Sequence, residues 1–256
     1  VDKLEEVKYT KEFEVHYFEI DKYQMATLIT IINYLEETAI AHSESVGYGV
    51  SKLLQDGAGW VLNRWHITME RYPSWNEKVV VETWPSSFER FHATREFYIK
   101  DSKGIIIGKA TSIWIYFNIN KRRPARIPAE ISEAYGIASA RAIEKDFKEL
   151  TNVEEIEFQK DFYVRRSDID TNNHVNNTRY VEWALEAIPQ EVYDEYMLST
   201  IDVVYKKETN YGAAIYSNCK TVKRDTLSCE FAHSILNKDD STVVCLASTE
   251  WKRRNG

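Results

Sequence analysis

Apolar and polar positions alternate along residues 13–20, which predicts a strand, and residues 25–45 then carry Leu28, Ile29, Ile31, Ile32, Leu35 and Ile40 at helical spacing. These apolar residues cover more than one stripe, as expected of a helix wrapped by a curved sheet. Residues 46–59 are punctuated by glycine and read as a short helix or loop flanked by turns. Strand patterns follow at 61–70, 78–84, 91–100 and 105–117, and residues 101–104 (DSKG) form a hairpin connection between the last two. The pattern breaks over 119–155, which reads as an interdomain linker.

The order then recurs: strand 156–166, helix 177–188, and strands near 198–207, 213–223, 226–236 and 242–251. Asn176 is a good N-cap for that helix, and Pro189 makes Ile188 its expected last residue. Three similarities anchor the repeat. Residues 34–36 (YLE) align with 180–182 (YVE) at an offset of 146, Trp75 with Tyr211 at 136, and 110–114 (ATSIW) with 247–251 (ASTEW) at 137. One strand, one buried helix and four antiparallel strands, written twice, predict two α+β units packed as a pseudo-dimer. The expected domains are residues 1–118 and 156–256.

With 256 residues, 43% of them hydrophobic, the chain can bury a substantial core. No purely apolar run approaches the roughly 20 residues that span a bilayer, so a soluble, cytoplasmic protein is expected, or a plastid one if a transit peptide has been removed. A net charge of -7 argues against a general nucleic-acid binder. Local basic clusters remain at Lys121, Arg122, Arg123 and Arg126, at Arg165 and Arg166, and at Lys206 and Lys207. Solvated faces are their ordinary reading. Cys219, Cys229 and Cys245 form no C-x-x-C pair and suit reduced core thiols.

The chemistry concentrates in residues 167–183 (SDIDTNNHVNNTRYVEW). Asp170, Asn172 and His174 stand at i, i+2 and i+4, so in an extended segment all three side chains would leave one face, just ahead of a helix N-terminus. Unpaired N–H groups there favour charge developing on a carbonyl oxygen. Asp and Asn are equally the residues of turns and caps, so spacing alone leaves both readings open. No second His or Cys lies at ligand spacing, so neither a metal nor another cofactor is expected. Ser167 and Thr209 remain as secondary candidates for a hydroxyl nucleophile.

D-x-N-x-H-V-N-N followed by an aromatic-rich helix resembles the signature of the fatty acyl-acyl carrier protein thioesterases. Residues 204–209 (VYKKET) look like that family's strand segment ending in a functional Glu, and residues 65–75 (WHITMERYPSW) resemble its first-domain strand. The resemblance implies a tandem (double) hotdog, two antiparallel sheets each wrapped around a long helix, and hydrolysis of fatty acyl thioesters. Carried over by motif position, the catalytic residues are Asp170, Asn172, His174 and Glu208. Many plant members carry a Cys after that Glu, whereas this chain has Thr209, so no cysteine nucleophile can act there.

In the mechanism these residues suggest, Asn172 and helix-start N–H groups polarise the carbonyl and Asp170 orients His174. Glu208 activates water together with His174, or attacks directly to give an acyl-enzyme. The resemblance makes acyl carrier protein the partner, docked by Arg122, Arg123, Arg165, Arg166, Lys206 and Lys207. Competing readings are an acyl-CoA thioesterase, a hotdog enoyl-thioester hydratase or dehydratase, and a non-catalytic acyl-thioester-binding regulator. A homodimer is compatible with any of them. Subtracting 146 from the trio gives Gln24, Ala26 and Leu28, and subtracting 136 from Glu208 gives Tyr72. The first half is therefore expected to lack all four groups, to be catalytically silent and to set acyl-chain length.

Overall fold

The computed structural model describes residues 7–171 and 173–254. The chain divides into two compact units, one running to Asn63 and resuming over Met69–Lys145, the other combining Arg64–Thr68 with the chain from Asp146 onward. Each is an antiparallel sheet with a helix packed on it.

In the N-terminal unit, β1 (Tyr9–Glu14), β3 (Lys78–Phe88), β4 (His92–Asp101) and β5 (Ile106–Asn118) pair in that order, and β6 (Arg123–Pro124) adds to β5. Helix α1 (Leu28–Ser45) starts at Thr27, whose side chain accepts the Thr30 N–H, and buries Leu28, Ile31, Ile32, Leu35, Ala39 and His42. Ile40, grouped above with the apolar stripe, faces solvent. The expected strand over 13–20 stops at Glu14. There the chain turns through a 3₁₀ segment, Tyr17–Glu19, because the Glu19 carboxylate accepts both the His16 N–H and the Tyr34 hydroxyl, bonds a strand would forgo. A short helix α2 (Val50–Gln55) fills the glycine-punctuated stretch. The DSKG hairpin forms, with Gly104 at φ 78 donating to the Asp101 carbonyl.

Residues 119–155 are anchored along much of their length. After helix α3 (Ala129–Tyr135), the Ala140 carbonyl accepts from the Trp84 indole at 2.8 Å and the Ala142 N–H donates to the buried Glu96 carboxylate at 3.1 Å. In the C-terminal unit the Val153 N–H donates to Ser234 Oγ at 2.7 Å, and Arg64 lies 4.6 Å over the Phe147 ring.

The C-terminal unit repeats the plan with β7 (Phe158–Tyr163), β9 (Ala214–Arg224), β10 (Ser228–Asn237), β11 (Val243–Arg253) and β8 (Tyr196–Tyr205), in that spatial order. Arg64–Thr68, the last part of β2 (Ala58–Met69), pairs antiparallel with β8. Helix α4 (Asn177–Glu186) buries Tyr180, Val181, Trp183 and Ala184, and Ser217 on β9 donates to its Trp183 carbonyl. It ends two residues before Ile188, and Pro189 caps a further short helix, α5 (Gln190–Glu195). Strand β8 ends at Tyr205, which leaves Glu208 on the following loop rather than on a strand.

Candidate active site

The site is built around one tight turn at the start of α4. Beyond β7 a 3₁₀ segment, Arg166–Asp168, brings in Asp168, whose fully buried carboxylate accepts from the Arg165 N–H at 2.7 Å and from the Arg165 guanidinium at 3.0 Å. Burial pushes that carboxyl up, but the Arg165 bonds and the Arg179 charge outweigh it and hold it below the usual range. Its backbone carbonyl receives the N–H of Asn176, the N-cap of α4. Asp168 thus ties the approach to the helix, a role the sequence reading missed although Arg-x-x-Asp ahead of the turn was its signal.

Ile169 and Val175 form an antiparallel bridge that closes the turn. Inside it the Asp170 N–H donates to the His174 carbonyl at 2.8 Å, the Asn173 N–H to the Asp170 carbonyl at 3.1 Å, and the His174 N–H to Asp170 Oδ1 at 3.3 Å. Asn173 takes a φ of 64, a conformation Asn tolerates better than most residues. The extended segment expected across Asp170, Asn172 and His174 is therefore a loop. Backbone bonds between positions 170 and 174 have replaced a strand ladder. Asn172 lies outside the described residues.

The turn sends the His174 ring toward Glu208, and Nε2 stands 3.1 Å from Oε2. The imidazole is 33% exposed and the carboxylate 58%, so both remain open to water and substrate. Three backbone hydrogen bonds hold the Glu208 loop: the N–H groups of Lys206 and Lys207 both donate to the Val244 carbonyl, and the Val175 N–H donates to the Thr209 carbonyl at 2.9 Å. Thr209 itself is buried and faces Tyr180 on α4, whose phenol is pushed up to about 12, first by burial. All three thiols are buried, and burial pushes each up, Cys219 to about 12. Among the described residues no three His, Cys, Asp or Glu side chains gather as a metal site.

The N-terminal unit contains the same turn. Ile20 bridges Ala26, the Asp21 N–H donates to the Met25 carbonyl at 2.8 Å, the Gln24 N–H to the Asp21 carbonyl at 3.0 Å, and the Met25 N–H to Asp21 Oδ1 at 3.2 Å. Thr27 donates its N–H to the Glu19 carbonyl as Asn176 does to Asp168, and the Ala26 N–H bonds the Pro73 carbonyl as Val175 bonds Thr209. Phe13 stacks on Tyr34 as Phe162 stacks on Trp183.

These matches set the register before the helix at 149, not 146, while 136 holds beyond it. Tyr34 therefore answers to Trp183 rather than Tyr180, the local YLE and YVE likeness being outvoted by the turn's hydrogen bonds. The counterparts of Asp170, Asn172, His174 and Glu208 become Asp21, Tyr23, Met25 and Tyr72. The expectation that the first half lacks all four groups is corrected at one position, since Asp21 is present.

A sheet packed on a helix, formed twice in one chain with the His174–Glu208 pair beside the turn of the second copy, is a double hotdog of the thioester-hydrolase type. The chain matches the acyl-ACP thioesterase N-terminal domain over residues 6–135 and the C-terminal domain over residues 151–253. It is 32% identical to oleoyl-acyl carrier protein thioesterase 1 of Arabidopsis thaliana, covering 97% of this chain and 77% of the relative. With palmitoyl-acyl carrier protein thioesterase of Gossypium hirsutum it shares 28% identity, over 96% of this chain and 64% of the relative. The crystal structure of an acyl-ACP thioesterase from Bacteroides thetaiotaomicron superposes with a TM-score of 0.88 at 28% identity, over 98% of this chain and all of that one. The chain belongs to the acyl-ACP thioesterase family. It spans 64% of the length of the Gossypium hirsutum relative and 77% of that of the Arabidopsis thaliana one.

Proposed function

We propose that the chain hydrolyses the thioester of fatty acyl-acyl carrier protein, releasing free fatty acid and ending chain elongation, with His174 and Glu208 as the reactive pair. The observation that carries this reading is the 3.1 Å contact between His174 Nε2 and Glu208 Oε2 beside the N-terminus of α4. The pair takes a proton from a water molecule, the resulting hydroxide adds to the thioester carbonyl, and the carbon–sulfur bond breaks as the proton passes to the leaving thiolate. N–H groups at the start of α4, with Asn172, polarise the carbonyl and hold the oxyanion.

Acyl carrier protein is strongly acidic, and exposed Lys206 and Lys207 flank Glu208 on its own loop. Arg165 is engaged by Asp168, and Arg166 lies 4.8 Å over the Tyr211 ring, so these two serve docking less than Lys206, Lys207, Arg122 and Arg123. The N-terminal unit is catalytically silent, because Met25 and Tyr72 replace the reactive pair, and its helix and sheet set chain length. Both reactive residues lie in one unit, so a second copy of the chain is not required. The named plant relatives are chloroplastic, and this chain acts wherever fatty acids are built on a carrier protein, in a plastid or in a bacterial cytoplasm.

The test is turnover of acyl carrier protein and CoA esters by the parent, His174→Ala and Glu208→Gln proteins. The parent prefers the carrier-protein ester, and each variant loses about 100-fold or more in kcat with little change in melting temperature. Parent-like rates in a folded His174→Ala protein would refute the assignment, and equal kinetics on both esters would favour an acyl-CoA hydrolase.

A further inference from the structure

We propose that Asp170 is a positioning residue, whose carboxylate holds the turn closed through the His174 backbone and takes no part in proton transfer. The inference rests on the reading of His174 and Glu208 as the reactive pair. It concerns what aims that pair.

The first ground is where the atoms of Asp170 go. Its N–H, its carbonyl and its Oδ1 each bond a backbone group within residues 170–174: the His174 carbonyl at 2.8 Å, the Asn173 N–H at 3.1 Å and the His174 N–H at 3.3 Å. An aspartate that bonds backbone groups a few residues on is a turn former. The His174 ring meanwhile reaches Glu208 through Nε2. Opening the turn would shift the His174 backbone and swing the imidazole off the carboxylate, and misplacement by about 1 Å can cost on the order of 100-fold in rate.

The second ground is an internal control. Asp21 makes the corresponding bonds, to the Met25 carbonyl at 2.8 Å, the Gln24 N–H at 3.0 Å and the Met25 N–H at 3.2 Å, and its Oδ1 also accepts the Tyr23 N–H at 2.8 Å. The left-handed residue recurs at the same place, Gln24 at φ 61 and Asn173 at φ 64. Yet the residues answering to His174 and Glu208 are Met25 and Tyr72, and a thioether cannot exchange a proton with a carboxylate. An aspartate thus stands at this place in the unit whose turn carries Met25 where the other carries His174. The turn's bonds account for the aspartate of the N-terminal unit, and Asp170 makes the same three bonds.

The proposal separates the carboxylate's oxygen from its charge, and asparagine keeps the one without the other. Steady-state kinetics on acyl carrier protein esters, with full pH profiles, compare Asp170→Ala and Asp170→Asn with the parent. Asp170→Ala lowers kcat about 100-fold, and Asp170→Asn restores it to within about 10-fold of the parent with the limbs of the pH profile unmoved. Amide hydrogen exchange over residues 170–176 gives a readout independent of turnover, faster in Asp170→Ala and near parental in Asp170→Asn. An Asp170→Asn protein as slow as Asp170→Ala, or one with a displaced pH limb, would show that the charge is used and overturn the proposal. Unchanged exchange in Asp170→Ala would overturn it as well. Parent-like rates in both His174→Ala and Glu208→Gln would instead remove the functional reading, leaving the exchange result to judge the turn.

Discussion

Two buried histidines should make the protein acid-labile well above the pH at which carboxylates protonate. His42, in the last turn of α1, stacks on Tyr9, meets the edge of Tyr135, and offers Nδ1 to the Arg95 guanidinium at 2.9 Å. His233 on β10 has no exposed surface and lies 2.9 Å from Thr249 Oγ1. Burial pushes both imidazoles down to about 3, and for His42 the Arg95 charge adds to it. An unfolded chain protonates them near the ordinary value of about 6.5, so below that pH the unfolded state binds more protons than the folded one. Their contribution is complete above about pH 6.5 and drains away as pH falls toward 3. The slope is about 1.4 kcal/mol per pH unit for each, or about 2 kcal/mol each at pH 5. Against a total stability of about 5 to 15 kcal/mol, the two together are a large fraction. Calorimetric scans from pH 7.5 to 5 should show melting falling by about 10 °C, and His42→Gln with His233→Gln should flatten most of that slope. Carboxylates held low, such as Asp168 and Glu77, lose their contribution only as pH falls through and below their ordinary range near 4, outside this window. An undiminished slope in the double variant would refute the reasoning.

Changing Cys219, Cys229 and Cys245 together to Ala should leave substantial hydrolysis, because burial pushes every thiol away from the nucleophilic form. Alkylation of a single thiol that abolished turnover in an intact fold would contradict it. Glu96→Ala should lower stability by about 2 to 4 kcal/mol, since it strands the Ala142 N–H and the Ser86 and Thr111 hydroxyls that the carboxylate accepts. Urea unfolding reads the change directly, and a midpoint shift smaller than that of an exposed control such as Glu37→Ala would sink it.

The strands and the two central helices were legible because burial imposes a period on the sequence, and the DSKG hairpin because its turn needs a residue with positive φ. The motif also pointed to His174 and Glu208. Their contact was not readable, since it joins positions 34 residues apart through a bond between the Val175 N–H and the Thr209 carbonyl. The polar trio was misread as extended because alternation of polar side chains resembles a strand. What decides the local structure is the Asp-x-x-Asn turn, with Asn173 in the left-handed region. The same blindness produced the false register of 146, where three similar letters on a helix outweighed capping bonds that sequence does not display. Residues 119–155 read as a spacer for a related reason, because their anchors are backbone groups bonded to Glu96, Trp84 and Ser234.

The two turns separate what the scaffold requires from what the reaction requires. Bridge, aspartate, left-handed residue and polar N-cap occur in both units, so these features belong to joining a strand to a buried helix. Differences at the proposed reactive positions, Met25 for His174 on the turn and Tyr72 for Glu208 on the loop bonded to it, fall outside these shared features. Tyr72 is buried where Glu208 is largely exposed, although the loops that carry them bond the turn through equivalent carbonyls, those of Pro73 and Thr209. Filling that position with an aromatic ring stabilises the N-terminal unit by about 2 kcal/mol of apolar burial, which the C-terminal unit forgoes to keep a carboxylate in reach of water. On the proposed assignment, chemistry is therefore set against packing at single positions of equivalent loops.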